Sequence, residues 1–121
     1  MSDGSVRVIA AGCINLLNIE LLDCQHLTCQ SLTAIGQHCK AVTSINIKGC
    51  LGIEDEGVRA LAQGCVYLQS VNLTYCNHLT DASLVAIGET CKGLTCIDVS
   101  DNWNVSDVCI ASLTQGCRHL H

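Results

Sequence analysis

Eleven cysteines and five histidines in a chain of 121 residues are the side chains with most capacity for chemistry. Thiolates and imidazoles bind zinc, and thiols can also serve as redox switches. Spacing decides between these uses and simple packing. No C-x-x-C pair is present. Cys24 with Cys29, and Cys91 with Cys96, are each separated by four residues, but each pair runs from one predicted element into another. His26 and His78 occupy equivalent places in the chain, with a predicted separation of about 10 Å from strand spacing, too far to share one ion unaided. His38, His119 and His121 complete the set. The cysteines are therefore expected to be small buried hydrophobes, with Cys29, Cys96 and Cys109 off the main series and exposed. Thiol redox or metal binding is the third of three functional readings.

The acidic series Asp3, Asp55, Asp81 and Asp107 could suggest general acid–base catalysis. Its predicted place at helix starts, where a negative charge favours the helix dipole, explains it without a reaction. There is no glycine-rich phosphate loop, nucleophile elbow or zinc-protease motif. No catalytic residue, cofactor or metal ligand is expected, and the chain reads as a non-enzyme.

The elements that position these residues follow a period of 26. Cys13, Cys39, Cys65, Cys91 and Cys117 keep that step, as do Cys24, Cys50 and Cys76, with Asn102 taking the next place. Apolar series keep it too: Leu16, Val42, Leu68 and Leu94; Ile19, Ile45, Val71 and Ile97; Leu27, Ile53, Leu79 and Val105; Ile35, Leu61, Ile87 and Leu113. In Val71-Asn72-Leu73 the apolar residues alternate, the mark of a strand, whereas Leu84 and Ile87 have helical spacing. Ser2, Thr28, Thr80 and Ser106 can cap helix starts. Gly12, Gly64 and Gly116 fall at helix exits. Each repeat is strand, turn, helix and return, and stacking alone can bury its apolar face. This predicts a right-handed α/β solenoid, a horseshoe with a concave parallel sheet and helices on the convex side. The single domain 1–121 divides into a half-repeat 1–12, repeats 13–38, 39–64, 65–90 and 91–116, and a partial repeat 117–121.

Composition limits the functions open to such a chain. The core must be built from aliphatic residues and cysteine, because there is no Phe, one Trp and two Tyr. Six basic against eleven acidic residues give a net charge of -5, which argues against nucleic acid and anionic membrane surfaces. No apolar run approaches the roughly 18 residues of a membrane span. The N-terminus lacks a signal-peptide pattern. The expected location is cytoplasmic, with nuclear or ciliary as alternatives.

The segment Cys65-Val-Tyr-Leu68-Gln-Ser-Val71-Asn-Leu73-Thr-Tyr-Cys76-Asn-His-Leu79-Thr-Asp81-Ala-Ser-Leu84-Val-Ala-Ile87-Gly-Glu-Thr90 resembles the cysteine-containing leucine-rich repeat family, and the resemblance extends over essentially the whole chain. Similar repeats form the substrate-receptor part of F-box ubiquitin ligases, and also occur in antagonist-of-mitotic-exit-network proteins and ciliary dynein regulatory subunits. The resemblance implies a protein-interaction module in a ubiquitin-ligase setting. Nothing in the sequence resembles an F-box, so ligase docking does not carry over. Neither end carries a cap, which favours an alternative: a structural subunit of a larger assembly such as a ciliary complex, joined end to end with its neighbours.

The expected partner is a protein, and a basic patch on it would suit the acidic charge. The candidate surface is the row of residues flanking the buried strand positions: Glu20, Asn46, Lys48, Asn72, Thr74, Asp98 and Ser100. Tyr75 and Trp103 are candidate loop anchors, since binding energy concentrates in aromatic residues and arginine. Val6, Ile9 and Leu120 are the candidate end-stacking residues.

Overall fold

The computed structural model describes residues 2–102 and 104–106. Helices and strands alternate: α1 (Asp3–Gly12), β1 (Asn18–Glu20), α2 (Cys29–His38), β2 (Ser44–Asn46), α3 (Asp55–Gly64), β3 (Ser70–Asn72), α4 (Asp81–Thr90) and β4 (Cys96–Asp98). The four strands form one parallel sheet in chain order. Every pairing is offset by one period: Ile19 lies opposite Ile45, Ile45 opposite Val71, and Val71 opposite Ile97. The architecture is the leucine-rich-repeat solenoid that the periodicity predicts.

The core is a column of stacked aliphatic layers. Leu32, Val58 and Leu84 bury the inner face of their helices, and Ile45 and Val71 bury the middle of their strands. Ile53, Leu68 and Leu79 close the layers in between. At the first repeat the same positions are open. Ile9 is 44% exposed, whereas its equivalents Ile35, Leu61 and Ile87 are each 1% exposed.

The cysteines hold the layers together through carbonyl groups. Cys39 Sγ donates to Cys13 O at 3.6 Å, Cys65 Sγ to Cys39 O at 3.2 Å, and Cys91 Sγ to Cys65 O at 3.6 Å. The second series does the same: Cys50 Sγ donates to Leu21 O at 2.8 Å and Cys76 Sγ to Ile47 O at 3.1 Å. Asn102 takes over this task, its Nδ2 donating to Leu73 O at 2.7 Å. A small thiol both fills the core and satisfies a backbone acceptor, which accounts for its recurrence. Two of the expected buried cysteines depart from this. Cys13 is exposed and Cys24 half-buried, because both lie in the first repeat with no earlier layer over them.

Two further expectations need correction. The acidic series does more than favour its own helix dipole. Asp3 Oδ1 accepts from Thr28 N at 2.9 Å and from Ser31 Oγ, in the next repeat. Asp55 repeats this on Thr80 and Ser83, and Asp81 bonds Ser106 N at 2.7 Å. Glycine at the helix ends is not there for a left-handed exit: the residues that follow, Cys13 and Cys65, have φ of -120° and -102°. Gly64 instead allows close approach, because a Cβ there would collide with the carbonyl oxygen of Gly36 on α2.

Candidate functional site

The sheet face presents the expected row in register. Glu20 pairs with Asn46, Asn46 with Asn72, and Asn72 with Asp98. The side chains are partly committed to their own backbone. Asn46 Oδ1 accepts from Lys48 N at 3.0 Å, Asn72 Oδ1 from Thr74 N at 2.9 Å, and Asp98 Oδ1 from Ser100 N at 2.9 Å. These bonds end each strand with an Asx-type turn. They fix the side-chain angle and leave the amide N–H groups of Asn46 and Asn72 for other partners. Hydrogen bonding from the Ser100 hydroxyl and then its N–H holds the Asp98 carboxyl below the usual carboxylate range. Asp98 therefore stays ionised on this face.

Glu20, Lys48 and Ser100 are exposed, and Asn46, Asn72 and Asp98 half-buried. Thr74 differs from the expectation that it stands clear of the core. It is 8% exposed, with its hydroxyl turned to the Asp98 carboxyl.

Immediately after each strand comes a turn that the sequence pattern did not reveal. Asp23, Gly49, Tyr75 and Asp101, one per repeat, all have positive φ, between 53° and 76°. The left-handed region is costly for a bulky side chain. Tyr75 adopts it at φ 59° and leaves its ring 48% exposed. The signal for this row was available in the one glycine and two aspartates at equivalent positions, the residue types that tolerate this conformation. Trp103, the other loop anchor, lies outside the described residues, as does Leu120.

The end residues are placed as follows. Val6 and Ile9 both line an apolar cleft, together with Leu16, Ile19, Ile35 and Cys39. Val6 itself is closed over at 5% exposure, whereas Ile9 stands open.

Thiol and metal chemistry find little support in the geometry. Among the described residues, no three of His, Cys, Asp and Glu converge as a metal site. Burial pushes the Cys65 thiol up to about 12 and the Cys50 thiol up to about 11, so neither is a thiolate near neutrality. His26 and His78 are exposed on the loops. Cys96 is exposed, as its place off the main series implied, whereas Cys29 is half-buried, packed against Gly57 and Glu54 of the next repeat. Cys109 lies outside the described residues.

A parallel sheet with a polar open face and a helical outer layer defines a repeat protein with a sheet surface available for contact. Residues 38–62 and 64–88 each match the Leucine Rich repeat family. The other described residues repeat the same strand-and-helix unit at the same step. A chain of the Rad7 and Elc1 complex in yeast shares the fold with a TM-score of 0.75 and 24% identity. The match covers 84% of this chain and 26% of that one, so this chain spans about a quarter of its length. The tropomodulin C-terminal domain of Caenorhabditis elegans has a TM-score of 0.71 at 10% identity, covering 99% of this chain and 80% of that one. No curated protein matches the sequence. No helix among the described residues is long and apolar enough to cross a membrane.

Proposed function

We propose that this chain is a non-enzymatic protein-interaction module that receives its partner on the sheet face. One observation carries the reading. Asn46, Asn72 and Asp98 stand one above another in strict register, each locked by its own Asx turn with polar atoms to spare. A preorganised row of this kind lowers the ordering cost of binding. The acidic balance suits a partner with basic groups. The resemblance to substrate-receptor repeats supports substrate recognition in a ubiquitin-ligase setting, and the fold shared with a chain from a two-protein complex supports a protein partner.

The hydrogen bonds of the row decide which substitutions can test it. Alanine at these positions would also remove a backbone acceptor, so loss of binding would be ambiguous. Asn46→Asp with Asn72→Asp keeps Oδ1, removes the amide donors and adds two negative charges, so a basic partner is lost from it only if those donors hold it. Proteins recovered on the wild-type chain should be lost from this double variant and retained by Val85→Glu, a change on the exposed helical side. Equal recovery on all three would sink the sheet-face reading.

The alternative is a structural subunit packed through its ends, for which the cleft beside Ile9 speaks. Ile9→Lys should then reduce self-association or assembly, read as molar mass by light scattering over a concentration series. An unchanged monomer in both chains would remove this alternative.

A further inference from the structure

The line of left-handed turns beside the sheet face has its own chemistry. The N–H of Asp23 donates to Lys48 O, that of Gly49 to Thr74 O, and that of Tyr75 to Ser100 O, at 2.8–3.0 Å. These bonds tie the four turns into a ridge with roughly the spacing of neighbouring strands, about 4.8 Å. Along it the residues read Asp23, Gly49, Tyr75, Asp101. Gly49 has no side chain, and the Asp23 carboxylate leans over it, since a Cβ at Gly49 would collide with Asp23 Oδ1. The exposed Tyr75 ring thus has Asp101 on one side, and on the other Gly49, buried under the Asp23 carboxylate.

One buried oxygen next to the ridge adds to its negative potential. Asn102, next to Asp101, is 9% exposed, and its Oδ1 has no hydrogen-bond partner. In the cysteine that Asn102 replaces, there is no such oxygen to leave unpaired. A buried, uncompensated carbonyl in a low-dielectric region acts at greater range than one in water. Lys48 is the single lysine or arginine in these four turns, against the carboxylates of Asp23, Asp98 and Asp101.

We propose that this ridge is a seat for an arginine side chain of the protein partner, its guanidinium lying on the Tyr75 ring with the Asp101 and Asp23 carboxylates along its edges. Arginine suits the seat better than lysine because its planar cation can stack on an aromatic face while donating in its own plane to carboxylates on either side. The proposal rests on the protein-interaction reading and names the chemistry of the partner.

The test is a titration of the isotope-labelled full chain with acetyl-Gly-Arg-Gly-amide, followed by amide chemical shifts, beside the same peptide carrying neutral citrulline. The arginine peptide should give saturable shifts centred on Asp23, Gly49, Tyr75 and Asp101, with weak, millimolar affinity; citrulline should not. Tyr75→Asn retains a residue type that accepts the left-handed backbone and should weaken binding about two- to five-fold, the exposed cation–π contribution expressed as a ratio. Asp101→Asn should weaken it comparably. Absent shifts, equal binding of citrulline, shifts centred on the distant Glu54–Glu56 cluster, or unaltered binding in both variants would overturn the seat. If the seat fails while the sheet-face double variant still loses its partner, the interaction reading stands without it.

Discussion

The carboxylate of Asp55 caps the helix of the repeat that follows, accepting from Thr80 N at 2.9 Å and from the hydroxyls of Thr80 and Ser83. Thr80 in turn caps α4 by accepting from Ala82 N at 3.3 Å. Asp3 makes the same set of bonds to Thr28 and Ser31. The joint between these two is built differently. There Cys29 replaces the aspartate, Glu54 the threonine and Gly57 the serine, and Cys29 Sγ lies 3.8 Å from Glu54 O. Gly57 leaves room for Cys29, since a Cβ there would come within 2.9 Å of the sulfur. At this joint all three positions differ at once, and together they form one contact.

Asp55→Ala should therefore cost about 2 kcal/mol, since it removes charge-assisted hydrogen bonds and the N–H partner of a helix cap. Denaturant unfolding measures this directly. The contribution should also depend on pH. Burial raises the Asp55 pKa, but the bonds from Ser83 and Thr80 outweigh it and hold the group below its usual value of 3.8. A carboxyl with a lowered folded-state pKa stabilises above the unfolded value and loses that stabilisation as pH falls through the folded one. Melting temperature in the wild type should drop between about pH 5 and pH 2, and more shallowly in Asp55→Asn. Parallel acid limbs in the two proteins would contradict this role.

Equivalent glycines should respond with opposite sign. Gly64→Ala places a methyl group against the Gly36 carbonyl, which is backbone and has little freedom to withdraw. A loss of about 1–3 kcal/mol is expected, as for other overpacked sites. Gly12 occupies the same place in the first helix, but a Cβ there would meet nothing within 4 Å. Gly12→Ala should gain about 0.5 kcal/mol from helix propensity. Thermal melts of the two variants beside the wild type settle both signs.

Thiol accessibility should divide the cysteines by layer. Among the described residues, Cys13, Cys24, Cys29 and Cys96 should react with a thiol reagent in the native protein at pH 8. Cys39, Cys50, Cys65, Cys76 and Cys91 should react only after unfolding, being buried and, for Cys50 and Cys65, held protonated far above that pH. Mapping the modified sites by peptide mass would show it. Asn102→Cys should stabilise by about 1 kcal/mol, because the thiol can reach Leu73 O as Cys76 reaches Ile47 O, without leaving a carbonyl oxygen unpaired.

How much of this was legible in the sequence follows from what each residue's type expresses. Burial depends on hydrophobicity, so the series through Ile45, Val71 and Leu84 fixes strands, helices and register at a period of 26. The sheet-face row follows from alternation along each strand. The Asp55–Thr80 contact was not legible, because aspartate at a helix start has a sufficient local explanation and the bond to the next repeat depends on three-dimensional stacking. Thr74 was misjudged for a related reason: alternation gives the face to which a side chain belongs, but not what covers it there. The left-handed turn at Tyr75 was concealed by its residue type, since tyrosine gives no sign of a positive φ and only its equivalents Asp23, Gly49 and Asp101 do.

That turn supplies the last expectation. A tyrosine in the left-handed region carries roughly 1–2 kcal/mol of strain that an asparagine largely avoids. The ring is half exposed, and the backbone N–H bonds Ser100 O at 3.0 Å whatever the side chain. Tyr75→Asn should therefore raise the melting temperature by several degrees, given that about 1 kcal/mol shifts a domain of this size by about 3–5 °C. The same substitution should weaken partner and arginine-peptide binding. Opposite movement of stability and affinity in one variant is what a strained contact residue produces and a space-filling one does not. A variant both less stable and unaltered in binding would mark Tyr75 as packing for the loop.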